Sequence, residues 1–113
     1  FNDDTSSVYN RRLSANGAGD WTGSPPYDGI HLSPNNITSD YCNIFMVNNS
    51  ANEKLIMVHI INKSTAGSGT APNRMELVGK WVPSSNQQVT KVHMTSVNDD
   101  LIAGSRIKVW GSN

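Results

Sequence analysis

Residues 54–62 read KLIMVHIIN, and residues 75–81 read MELVGKW. The first stretch is a run of aliphatic and β-branched side chains. It is too short for an amphipathic helix and fits a central strand covered on both faces. The second alternates. Met75, Leu77, Gly79 and Trp81 take one face while Glu76 and Lys80 take the other, the two-residue period of a half-buried strand. Residues 63–72 (KSTAGSGTAP) separate the two and carry no apolar anchor, so they read as a loop. Two such strands joined by a polar connection point to an all-β fold.

The same reading extends outward. Upstream, residues 41–47 (YCNIFMV) read as a buried strand, bounded by the polar cluster at 48–52. Residues 8–13 form a first strand closed by Asn16-Gly17, and residues 29–32 a short one stopped by Ser33-Pro34. Between them, residues 14–28 are rich in Gly and Pro, and Pro25-Pro26 forbids regular pairing. Downstream, residues 89–94 are expected to turn Thr90, Val92 and Met94 inward, and residues 105–110 to turn Ile107 and Val109 inward. The expectation is a single domain over residues 1–113, an antiparallel β-sandwich of seven or eight strands, jelly-roll-like.

Composition agrees. Asn, Ser, Thr and Gly supply 44 of the 113 residues, and these types favour turns, caps and strand edges over helix interiors. Nine bases balance nine acids, whereas a nucleic-acid binder carries a basic excess. No apolar run is long enough for a transmembrane helix. Neither nucleic acid nor membrane is an expected partner. The one cysteine, Cys42, excludes an internal disulfide framework. The chain opens at Phe1 without a cationic or apolar leader, which reads as a processed product or an excised segment.

Candidate chemistry is sparse. Glu53 lies in a loop and Glu76 on an outward face, a poor basis for a catalytic carboxylate pair. Asp3-Asp4 and Asp99-Asp100 suit turns whose side chains bond the backbone, and no loop gathers the oxygens that calcium requires. His31, His59 and His93 sit in separate strands without ligand spacing. Cys42 reads as a small core residue. No nucleophile elbow, phosphate loop or dinucleotide fingerprint occurs. Neither catalysis, a metal nor a cofactor is expected; a small β-sandwich hydrolase would lack its nucleophile.

Binding is left. Trp21 and Tyr27 are the candidate ligand-binding residues, since loop aromatics stack on sugar rings or anchor protein contacts. Arg11-Arg12 suits an acidic partner or a solubilised sheet edge. Asn36, Asn48 and Asn62 each head an N-glycosylation sequon.

Phe1-Asn2-Asp3-Asp4, Tyr9, Leu13 and the glycine-rich 16–19, together with residues 89–94 and the closing LIAGSRIKVWG of 101–111, resemble the two ends of a β-rich domain of tailed-bacteriophage virion structural proteins, particularly those of aquatic phages. These motifs cover about a third of the chain. The resemblance implies a non-enzymatic module on the virion surface, as a head decoration protein or a tail-fibre component. It would form homo-oligomers and dock on other virion proteins. Self-association would bury surplus apolar surface of residues 54–62. The rival expectation is a lectin-like, carbohydrate-binding adhesion module of a secreted or surface protein, stacking host-surface glycans on Trp21 and Tyr27.

Overall fold

Four strands form: β1 (Tyr9–Ala15), β2 (Asp40–Met46), β3 (Lys54–Asn62) and β4 (Asn73–Trp81). They belong to a computed structural model that describes residues 1–22, 27–30, 32, 40–49, 53–62, 67–95, 101 and 103–111. The strands make one antiparallel sheet in the order β1-β4-β3-β2, and no helix occurs among the described residues. β3 and β4 lie at its centre, paired from Lys54 opposite Trp81 to Asn62 opposite Asn73.

Residues directly opposite in an antiparallel pair share a face, so the register lays the core out in rows. Ile44, Val58, Leu77 and Leu13 form one row; Cys42, Ile60, Met75 and Ala15 form the next. Val58 is fully buried, and Leu77 and Ile60 nearly so. A third row runs Met46, Ile56, Gly79, Arg11. There the missing side chain matters, because a Cβ on Gly79 would stand 2.9 Å from Ile30 Cδ1 and 3.1 Å from the Asn10 carbonyl oxygen. Glycine lets Ile30 descend onto the sheet. Phe1, Ile30 and Leu32 cover this face together.

The last row ends in an aromatic corner. Trp81 and Tyr9, opposite one another, stack with centroids 6.2 Å apart, and Phe1 tilts against both at 5.7 and 6.1 Å. Trp81 Nε1 donates to Asp4 Oδ2 at 2.9 Å, and the Tyr9 hydroxyl donates to the Asp4 carbonyl oxygen at 3.1 Å. Burial, with the Asp4 and Asp28 carboxylates adding to it, pushes the Tyr9 phenol up to about 12 from 10.0. The folded value exceeds the unfolded one, so the fold prefers the neutral phenol. That contribution is complete below the unfolded value and is lost as pH rises through the folded one. In urea titrations, the wild type is expected to lose about 2 kcal/mol more stability between pH 10 and 12 than Tyr9→Phe does.

At the far end of β1, Asn16 (φ 53°) and Gly17 (φ 78°) both lie in the left-handed region, and Ala18 N donates to the Ala15 carbonyl at 2.9 Å. This is the type I′ geometry that an Asn-Gly pair suits. Asn16 Oδ1 then accepts from Arg74 N at 2.9 Å, tying the turn to β4.

Several sequence expectations are corrected. β3 is internal to the sheet yet covered on one face only; Lys54, Ile56, Val58, Ile60 and Asn62 are buried while the residues between them are exposed. Residues 41–47 are no buried strand, because β2 is an edge. Residues 29, 30 and 32 form no strand among the described residues; the side chains of Ile30 and Leu32 pack on the sheet face instead. Residues 89–94 and 105–110 are not strands either, and Val92, Ile107 and Val109 are exposed. The described residues therefore contain one sheet of four strands, without a second layer. Alternation makes a segment capable of pairing, but a ladder also needs a neighbouring backbone within reach. At residues 88–91 a backbone bond, from Asn2 N to the Lys91 carbonyl at 2.9 Å, is supplemented by side chains in place of a ladder. Asn2 Oδ1 accepts from Thr90 N (2.9 Å) and Lys91 N (3.0 Å), and Asn2 Nδ2 donates to the Gln88 carbonyl (2.9 Å). Asn48 exchanges two bonds with the Val89 backbone, at 2.6 and 3.1 Å.

Candidate functional site

The strand pattern that buries one face of β3 leaves the opposite face uncovered. Tyr41, Phe45 and Val47 stand there from β2 and its end, Leu55, Met57 and Ile61 from β3, and Val78 from β4, all between 44% and 63% exposed. The register sets them in adjoining rows: Tyr41 beside Ile61, Phe45 beside Met57 and Val78, and Val47 beside Leu55, whose carbonyl accepts the Val47 N–H at 3.0 Å. One polar row interrupts them, Asn43–His59–Glu76, where Asn43 also accepts from the Tyr41 hydroxyl at 3.2 Å.

Toward β1 the same face turns polar. Lys80 Nζ donates to Glu53 Oε2 at 3.1 Å, and Arg12 Nη1 to Asp20 Oδ2 at 3.2 Å. Both pairs are well exposed, and such pairs add little to stability; their effect here is to keep that half hydrated. The face is thus an apolar patch with a charged border on one side. At about 100 Å² of exposed area per large side chain, the seven offer roughly 700 Å², of which the five on one side of the polar row form a contiguous patch of roughly 500 Å², at the upper end of what a typical monomer leaves uncovered.

The residues singled out in the sequence do not converge. Trp21 and Tyr27 attach to the outer edge of β1 through isolated bridges to Leu13 and Tyr9. Those anchors lie four residues apart, about 13 Å along the strand. Trp21 is half exposed, but the Arg11 guanidinium sits 5.0 Å from the centre of the Tyr27 ring and occupies it. They are two separate aromatics and not one stacking platform. Arg11 and Arg12 diverge too, one over Tyr27 and the other paired with Asp20.

His59 lies on the uncovered face and His93 in the segment after β4; His31 falls outside the described residues. Among the described residues no group of three His, Cys, Asp or Glu could hold a metal ion. Glu53 pairs with Lys80, and Glu76 is exposed. Asp4 makes the turn expected of it, with Oδ1 accepting from Ser6 N at 3.0 Å. Hydrogen bonds from Ser6 and Trp81 hold its carboxyl below the usual carboxylate range. Asp3, bonded by Lys91 Nζ at 2.7 Å, is lowered likewise. Asp99-Asp100 lies outside the described residues. Cys42 is partly buried against the core cluster.

Two of the three sequon asparagines are engaged in the fold: Asn48 holds the Val89 backbone, and Asn62 is 6% exposed with Oδ1 accepting from Asn73 Nδ2 at 3.1 Å. Asn36 falls outside the described residues. Sequence reading expected surplus apolar surface on residues 54–62 but assigned the strand two covers, and so did not place the uncovered face across β2, β3 and β4. The sign was present in the two-residue spacing of Ile56, Val58 and Ile60 beside a strand partner, β4, whose outward positions are charged at Arg74, Glu76 and Lys80 and apolar only at Val78. A sheet with charges on one face of a central strand has that face in water.

No protein-family model, curated protein or solved structure matches the chain.

Proposed function

We propose that this chain is a non-enzymatic structural module that works by assembling with copies of itself. The carrying observation is the uncovered face of β2, β3 and β4. Two copies meeting through it would bury about 1,400 Å² in total, within the range of specific protein interfaces. Facing sheets pack about 10 Å apart with interdigitating side chains. Such a pair completes, between two chains, the two-layered sandwich that the sequence pattern suggests within one. In this reading the jelly-roll-like architecture belongs to the assembly. The resemblance at the two ends of the chain supports reading that assembly as part of a virion surface, in a head decoration or tail-fibre protein that also docks on other virion proteins. A balanced net charge and an Asn-, Ser- and Thr-rich exterior suit a surface repeated in many copies without a strong field. A glycan reader built on Trp21 and Tyr27 draws less support, since the second ring is already covered.

Light scattering coupled to size exclusion tests the reading. The wild type is expected to be oligomeric at micromolar concentration. Met57→Asp, placing a charge at the centre of the patch, is expected to weaken association at least about hundredfold. A wild type that stays monomeric at millimolar concentration sinks the proposal.

A further inference from the structure

The two edges of the sheet are treated differently. β1 is met along its outer edge by Trp21 and Tyr27, each exchanging a pair of backbone hydrogen bonds with it, at 2.7 and 2.9 Å with Leu13 and at 3.1 and 2.9 Å with Tyr9. β2 ends the strand order on the other side. Because Val47 N donates to the Leu55 carbonyl, the alternation of an antiparallel ladder turns the N–H and C=O groups of Tyr41, Asn43 and Phe45 toward β3. Those of Ile44 and Met46 point away from the sheet. No strand among the described residues lies beyond them. The core also stops short here: Ile44 shares a row with the fully buried Val58, yet it is 42% exposed.

The chain carries a segment that matches this vacancy in pattern. Residues 106–110 (RIKVW) alternate, with Ile107 and Val109 on one side and Arg106, Lys108 and Trp110 on the other. Among the described residues they pair with no strand, and Ile107, Val109 and Trp110 are 57%, 76% and 82% exposed. Among the described residues no hydrogen bond joins residues 106–110 to the sheet. The Asn2 and Asn48 ties hold residues 88–91, well before this segment, and the chain's Cα radius of gyration is 14.9 Å, against about 13 Å for a compact domain of this length. An alternating segment that pairs with no strand among the described residues and a strand edge with outward amides are the two halves of a strand addition.

We infer that residues 106–110 of one copy add as a strand to the β2 edge of a second copy, with Ile107 and Val109 closing the open core beside Ile44 and Met46. Lys108 and Trp110 then fall on the opposite side, with the Lys108 cation beside Phe45 and Trp110 next to it along the β2 border of the uncovered face. The inference rests on the self-assembly proposed above and adds to it the element that is exchanged. It also gives β2 what an exposed apolar edge otherwise lacks, a cover against uncontrolled pairing.

Cross-linking between unlike full-length chains tests it. One chain carries Cys42→Ser and Val109→Cys; the other, isotopically labelled, carries Cys42→Ser and Ile44→Cys. After mixing and reaction with a short bis-maleimide, mass spectrometry is expected to find the 109–44 link joining a light chain to a heavy one. Introducing Ile107→Pro or Lys108→Pro into the first chain is expected to reduce that product at least tenfold for one of the two, because adjacent amides of a strand point to opposite sides and only one set bonds the ladder. A chain carrying both cysteines that links only within itself overturns the inference, since the segment then covers its own edge. Absence of the unlike-chain link while Met57→Asp still dissociates the wild-type oligomer also overturns it, and leaves the assembly proposal standing. A wild type that is monomeric throughout removes both.

Discussion

Replacing Trp81 by Ala is expected to cost about 3–5 kcal/mol, the loss typical of a large aromatic removed from a core. Against the 5–15 kcal/mol by which a domain is ordinarily stable, that is enough to leave much of the protein unfolded at physiological temperature. Trp81 is fully buried, stacks on Tyr9, meets Phe1 at 5.7 Å, and donates through Nε1 to Asp4. Its removal leaves a void between the N-terminal segment and the end of the sheet, and the strands around it cannot collapse to fill it without losing register. Urea titration is the measurement: the midpoint should fall with little change of slope, as it does when stability changes and the unfolded state does not. Trp81→Phe separates the two contributions, since it keeps most of the ring packing and loses the bond to Asp4; about 1–2 kcal/mol is expected.

The acid limb should change with it. Asp4 is lowered by hydrogen bonds that exist only in the fold. A lowered carboxyl contributes stability above its unfolded value and loses it as pH falls through the folded one. With Trp81 gone one of those bonds is gone, and acid unfolding should depend less on Asp4. A Trp81→Ala protein with unchanged urea midpoint would contradict the aromatic corner.

The second large effect is a contrast between neighbours. Val58→Asp is expected to cost about 4 kcal/mol or more, because a carboxylate would enter a row of Ile44, Leu77 and Leu13 with no partner to receive it. Met57→Asp, one residue earlier, places the same group on the uncovered face. There it should alter the stability of the dissociated chain by about 1 kcal/mol or less, while abolishing association. Thermal unfolding at dilution, together with light scattering, reads both. If the two substitutions destabilise the isolated chain equally, the sheet has two covered faces and the assembly proposal loses its basis.

That contrast shows where sequence reading reached and where it stopped. The alternation of Met75, Leu77 and Trp81 was legible because half-burial imposes a period of two, and all three are buried as expected. The close of β1 at Asn16-Gly17 was legible for the same local reason, since two successive left-handed residues suit that pair. Residues 54–62 misled because they are apolar on both sides. A run of this kind carries no mark that says whether its second cover comes from its own chain, from another copy or from nothing. Residues 105–110 misled in the opposite way: the alternation is there, but among the described residues no strand lies beside it.

Among candidate binding residues, Trp21 and Tyr27 were visible as loop aromatics. That the ring of Tyr27 would be capped by Arg11 depends on a bridge to Tyr9 across the edge of β1, eighteen residues away in sequence. The roles of Asn2 and Asn48 were invisible, because an asparagine that substitutes for a strand partner has the same letter as one in a turn.

By itself, then, the sequence determined the strand class, the face each residue of β4 presents and the turn that ends β1, since all of these follow from sterics and polarity within a few neighbouring residues. Only the tertiary structure decided that the sheet is covered on one side, that β2 is an edge and that the closing segment stands apart. Those properties depend on which distant backbones come within hydrogen-bonding reach, and a local pattern of side chains contains no record of that distance.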